Sequence, residues 1–367
     1  MQLSKPAASA FALALLLGAC HPAPEPRRPE PQAYEYGPTP QEKQAATQDF
    51  KAYARKFLDW YYVAHPVRAT ELGIHEGDGQ LPDVSRDGVD GRIQALLDWL
   101  QKQDDLEPGM LDMPDQIDFR IIEYAIRAEL LDLEEIRVWA REPNFYLGEV
   151  SRGVTGLVNG TVGSRSDRMR NLTARLESVP DMLAEARRNL TEVPQPWALR
   201  GTHDARQTAA ALRGPVEAAF DTDGTGGPLL QSQFDAAVDR AATALDAFAD
   251  WLADAAPRQG ADYHLGRYIF LREMQYREHI QLTAAELDQL STGAIQDLRA
   301  QIQKVAAEID PGRTPSEILD SLTADTLRGD DVLAAARQDL SAARDFVVAR
   351  NLVPLPDSTL PTARARP

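Results

Sequence analysis

The chain has 367 residues, 39 Lys plus Arg against 56 Asp plus Glu, a formal net charge of −17, 43% hydrophobic residues and one cysteine. This apolar content excludes a disordered chain, and at roughly 100 to 200 residues per domain the length accommodates one large or two ordinary domains. The acidic balance argues against nucleic acid, whose binding rests on Lys and Arg neutralising phosphates, and a lone cysteine excludes both an internal disulfide and a Cys-based zinc site.

The first element is an apolar run, Phe11 to Leu17, preceded by Lys5 and followed by Leu17-Gly18-Ala19-Cys20. It is too short for a transmembrane helix of roughly 20 residues and fits the core of a signal peptide over residues 1–19. Small residues ending at a cysteine directly after such a core resemble the bacterial lipobox. That resemblance implies diacylglycerol on the Cys20 thiol, cleavage before Cys20 and acylation of the new amino group. Several acyl chains, each contributing about 0.8 kcal/mol per buried methylene, anchor a protein to a membrane without spanning it. His21 rather than Asp comes after the cysteine, which resembles the outer-membrane default of Gram-negative lipoproteins. The expected location is therefore the bacterial cell envelope, on the outer membrane and facing the periplasm. Residues 20–41 comprise the lipidated Cys and a Pro-rich tether: residues 21–40 hold seven of the 25 prolines and almost no aliphatic side chains. Such a segment builds no core and is expected to be extended.

From Gln41 the period is helical. Phe50, Tyr53, Ala54, Phe57, Leu58 and Tyr61 share one face of a helix that Pro66 ends. Ile93, Leu96, Leu97 and Leu100 repeat the pattern, and Ile117, Ile121, Tyr124, Ala125, Ala128 and Leu131 predict a core stripe starting near Asp112 or Pro114. Further stripes run through Met169, Leu172, Leu176 and Leu183, and through Phe234, Val238, Ala241, Leu245, Phe248 and Leu252. Thr283 with Glu286, and Thr314 with Glu317, have capping-box spacing. Asp330 starts a last helix carrying Leu333, Ala336, Leu340, Ala343 and Val347. With no alternating strand, the expected class is all-α, about nine or ten helices, over residues 42–350, with an irregular tail at 351–367.

Two stretches break the pattern. Gly153, Gly156, Gly160 and Gly163 would line one helical strip, but each glycine costs roughly 1 kcal/mol relative to alanine in a helix, so a loop or broken helix is expected. Asp221 to Pro228 reads as a turn-rich connection that lacks the glutamate a calcium loop needs.

The six histidines, at 21, 65, 75, 203, 264 and 279, include no pair one helical turn apart, and no GxSxG elbow occurs. His75-Glu76 and Glu278-His279 begin like zinc motifs and find no second histidine.

One segment is more specific. FLDWYYVAHPVRATELGIHEGDGQLPDVS, residues 57–85, resembles the opening signature of the bacterial domain-of-unknown-function family 885, DUF885, through Pro66, Thr70, Leu72, Gly73, His75, Asp78, Leu81, Asp83 and Ser85. LGRYIFLREMQYREHIQLTAAELDQL, Leu265 to Leu290, resembles its middle region, and NLVPLP, Asn351 to Pro356, the point after it.

The resemblance implies a helical fold similar to zinc metallopeptidases, often on secreted lipoproteins, with an HExxH helix and a distant glutamate in the C-terminal half. In a full-length relative two histidines and that glutamate hold zinc, and the HExxH glutamate acts as general base. The chain stops at Pro367 before any HExxH, so no catalytic residue, metal ligand or cofactor is assigned to it, and zinc is expected only in a full-length relative. The expectation is an incomplete domain, truncated or frame-shifted, whose helices leave apolar faces uncovered.

Within the signature, His75 and Asp78 in one reading orient a peptide in a groove between the halves. In the other, Pro66 stops one helix, Thr70 sits in the first turn of the next, Gly73 ends it, and Asp78, Asp83 and Ser85 cap turns. The standard turn roles of Pro, Gly, Asp and Ser favour the second. Two function classes are consistent with these features: a peptidase-like envelope lipoprotein inactive by itself, or a non-catalytic helical lipoprotein that binds a peptide or protein partner.

Overall fold

The computed structural model describes residues 37–220, 227–255, 262–324 and 330–353. The expected signal peptide, Cys20, the expected Pro-rich tether up to Tyr36 and most of the Asp221–Pro228 connection lie outside these residues. Among the described residues every regular element is helical. Short helices and two π-helical turns divide the chain into more elements than the nine or ten that periodicity suggests.

Three helices build one core layer: α1 (Pro40–Ala64), α3 (Arg86–Asp104) and α4 (Met113–Leu130). Thr39 and Glu42 form a capping box at the start of α1, and Phe50, Tyr53 and Phe57 bury its apolar face against Leu96 and Ile126. The stripe expected on α4 is displaced. Ile117 and Ile121 are half exposed, and the buried residues are Ile122, Ile126 and Leu130. Tyr124 and Ala128 are buried as expected, with Gln281 donating to the Tyr124 hydroxyl at 2.9 Å. The helix thus has two covered sides, and a single stripe cannot describe it.

Between Pro66 and Glu71 runs the short α2, and a π-helical turn spans Leu131–Ile136. Arg137 closes that turn in the left-handed region, φ 58°. After α5 (Val138–Arg141), a second layer is formed by α6 (Asn144–Val158), α7 (Arg165–Asn189), α8 (Gln195–Ala211) and α10 (Gly227–Ala255), with the one-turn α9 (Glu217–Phe220) between the last two. Here the stripes of α7 and α10 are buried as read from sequence, with Leu172, Leu176, Leu245 and Phe248 fully covered. A second π-helical turn, Leu212–Val216, contains Pro215, which has no N–H to give an α-helical ladder. Phe145 packs against both cores.

Of the loop or broken helix expected for the glycine strip, the structure shows the broken helix. Residues 144–158 are one helix, and the break comes only at Asn159 and Gly160. On α6, Gly153 and Gly156 face α2, where a Cβ would lie 3.4 Å from Val67 Cγ2 and 3.5 Å from Thr70 Cγ2 respectively. Close approach of α2 outweighs the propensity cost.

The remaining helices are α11 (Gly266–Arg277), α12 (Ala284–Ile309), α13 (Pro315–Ala324) and α14 (Asp330–Arg350). Both sequence-predicted capping boxes form, at Thr283 with Glu286 and at Thr314 with Glu317. α11 packs on α4 and the first π-helical turn, and α12 packs on α13. Leu333, Leu340 and Val347 of α14 are only partly covered. Among the described residues no helix is long and apolar enough to cross a membrane.

Candidate functional site

α2 begins with Pro66 directly after His65 and ends in a Schellman motif: Ile74 N–H donates to Ala69 O at 2.9 Å and Gly73 N–H to Thr70 O at 3.1 Å. Gly73 occupies the left-handed position, φ 84°. Thr70 therefore lies in the last turn, not the first. Its hydroxyl lies 2.7 Å from Asp78 Oδ1 and 3.0 Å from Pro66 O, so its one proton serves the two acceptors in turn. Asp78 is buried, and its Oδ2 faces His75 Nδ1 at 3.0 Å. The other ring nitrogen of His75, Nε2, is buried with no hydrogen-bond partner.

Arg175 of α7 organises this segment. It is 1% exposed. Nε donates to Gln80 O at 3.0 Å and Nη1 to Gly153 O at 2.9 Å, while Nη2 reaches Thr70 Oγ1 at 2.6 Å and Pro66 O at 3.3 Å. Burial pushes the guanidinium down to about 10, against the attraction of Asp78 and Glu149. The charge persists at neutral pH, and Asp78 balances it. One side chain thereby ties α2, the turn at 77–80 and α6 to α7. Sequence reading missed it, although a signal exists: Arg175 stands three residues after Leu172 and four before Val179, both buried, and so falls within the apolar stripe.

Asp83 and Ser85 form a separate unit at the start of α3. Ser85 Oγ accepts from Gly88 N–H at 3.1 Å as N-cap, and Asp83 Oδ1 accepts from Ser85 N–H at 2.9 Å. Hydrogen bonds from the Ser85 side chain and backbone hold the Asp83 carboxyl below the usual range. Gly88 makes room for it, since a Cβ there would sit 2.4 Å from Asp83 Cγ.

Cavities flank the open side of α6. A groove of about 680 Å³ runs between α6 and α8, with Val154, Val158 and Leu212 among its lining and Glu71, Ser151, Arg152 and Gln207 as polar groups. It adjoins a cleft of about 380 Å³, which shares Arg152 and is lined also by Asp132, Glu142, Glu149, Glu273 and Arg277. Arg152 pairs with Glu149 and stands 3.8 Å from Glu71 Oε1. Burial pushes the carboxyls of Asp132, against Arg277, and Glu142, against Arg200, upward. Neither cavity is lined by His75 or Asp78.

His65, read from sequence as a lone histidine, joins α1 to α4. Its Nε2 lies 2.9 Å from Glu129 Oε1 and its Nδ1 3.0 Å from Tyr61 O. Both partners are acceptors, so only the imidazolium donates to both. Arg92 stands 3.7 Å from the same Glu129 oxygen. Among the described residues no three His, Cys, Asp or Glu side chains are grouped to hold a metal ion.

The sequence pattern of a family described as "Bacterial protein of unknown function (DUF885)" matches residues 66–367. The chain belongs to this family. The match begins at Pro66, the first residue of the Arg175-bound segment. Among solved structures the chain is similar to a "putative lipoprotein of unknown function" from Shewanella oneidensis, at 19% identity and a TM-score of 0.63. The likeness covers 84% of this chain and 58% of that one, and at this identity it shows the fold alone. No curated protein matches.

Proposed function

We propose that this DUF885 chain is a lipid-anchored protein of the bacterial cell envelope, held through Cys20 on the outer membrane and facing the periplasm. Its helical body is built on the plan of a zinc-dependent peptidase and is catalytically silent by itself. The observation that carries the proposal is Leu17-Gly18-Ala19-Cys20 placed directly after the apolar run Phe11–Leu17, on a chain whose other residues include no cysteine. The description of the Shewanella structure as a putative lipoprotein supports it. The silence rests on the histidines: none of the six stands in an HExxH. Zinc is assigned only to relatives that carry an HExxH.

What remains for this body is binding. The groove along α6 pairs an apolar floor with Arg152 and Glu71 at its polar side, suited to an extended peptide or a protein segment of either origin. The test is peptide hydrolysis and zinc content of the purified chain. No turnover is expected across a mixed peptide library, and no zinc is expected to co-purify. EDTA-sensitive cleavage would overturn the silent assignment.

A further inference from the structure

We propose that the cleft beside the α6 groove takes a cationic side chain, arginine or lysine, of the peptide lying in that groove; this rests on the peptide-binding reading above. The two cavities meet at Arg152, which lines both. Asn144, Phe145 and Glu149 carry the cleft along the first half of α6, and Val154, Val158 and Asn159 carry the groove along the second. A helix of 15 residues is about 22 Å long, the span of about seven residues of extended chain. One short peptide therefore reaches both cavities, with apolar residues over Val154, Val158 and Leu212 and its cation beyond Arg152.

The charge of the cleft selects the cation. Four carboxylates line it, Asp132, Glu142, Glu149 and Glu273, against the guanidinium groups of Arg152 and Arg277. Arg277 pairs with both Asp132 and Glu273, and Arg152 with Glu149. Glu142 forms no ion pair among the described residues, and burial raises its carboxyl against the weaker pull of Arg200. Two further acceptors, Glu273 Oε1 and Asn144 Oδ1, are buried without a donor among the described residues. Their neighbouring atoms are engaged: Glu273 Oε2 accepts from Arg277 Nε at 2.7 Å, and Asn144 Nδ2 donates to Asp204 Oδ2 at 2.9 Å. The cleft thus has acceptors in excess and donors in deficit. A guanidinium or ammonium, which donates and never accepts, corrects both. Phe145 and Trp197 add aromatic surface for its aliphatic stem and charged head. An acidic side chain there would meet carboxylates, and a neutral one would leave Glu142 unmatched.

Isothermal titration of the purified full chain tests this with two acetylated, amidated peptides, in which Ala-Leu-Ala flanks on each side either a single arginine or its neutral isostere citrulline. The arginine peptide should bind about tenfold tighter or more, the difference that charge-assisted hydrogen bonds give. In the double variant Glu142→Gln, Glu273→Gln the preference should shrink to under about threefold, with the citrulline peptide bound as before. Glu142→Gln alone, which breaks no ion pair, should shift the preference in the same direction by less. Two results overturn the inference and leave the groove reading standing: equal binding of both peptides to the wild type, or a tenfold preference that survives the double substitution and so traces to the net charge of −17. If neither peptide binds, the groove reading itself fails and the inference falls with it.

Discussion

Arg175 Nη2 donates to Thr70 Oγ1 at 2.6 Å, joining two helices across 105 positions of sequence. The same guanidinium holds the Gln80 and Gly153 carbonyls, so the 66–80 part of the DUF885 signature is tied together by a cation from another helix. Replacing Arg175 by Met leaves those carbonyls and Asp78 without their donor or counter-charge. Breaking a buried charge pair costs about 3–5 kcal/mol, and thermal unfolding should show a fall of roughly 10 °C. Arg175→Lys recovers only part, because an ammonium lacks the planar fork. A melting curve unmoved by Arg175→Met would rule the clamp out.

The signature's turn roles were legible because they are local: Pro66 at a helix start, Gly73 after a helix end and Ser85 as N-cap are each set by neighbours within a few residues. The clamp was not legible, because nothing within the 57–85 segment names its partner. The stripes of α7 and α10 were readable since each helix has one dominant buried face. α4 misled, with Tyr124 covered by α11 and Ile126 by the first core. The α6 glycines misled for a related reason, since propensity is intrinsic and α2 lies far away in sequence.

Gly201 of α8 has no room for a side chain. A Cβ there would stand 2.7 Å from Pro143 Cβ and 3.1 Å from Leu252 Cδ1. Gly201→Ala should lower stability by about 1–3 kcal/mol despite alanine's better helix propensity, measurable by urea unfolding. A more stable variant would show that α8 and Pro143 separate easily.

Asp83 gives a pH dependence. Its folded carboxyl lies below the ordinary range. Its contribution is therefore full above the unfolded value of about 3.8 and is lost as pH falls through the lower folded value. Asp83→Asn should melt below the wild type at pH 7, and the gap should close as the pH falls below the ordinary carboxylate range, through the lowered folded value. A gap independent of pH would point to shape rather than charge.

Sorting tests the location. If Cys20 carries the proposed anchor, His21→Asp, directly after it, should move the protein from the outer- to the inner-membrane fraction of a density gradient without changing its acylation. An unchanged distribution would remove His21 from the account.

The lipid anchor is decided most directly by mass spectrometry of the N-terminal peptide from envelope-purified protein. The account predicts that it begins at Cys20, with a diacylglyceryl group on sulfur and an acyl chain on the amino group. A peptide beginning at His21 or retaining Met1, or a Cys20 with a free thiol, would contradict it.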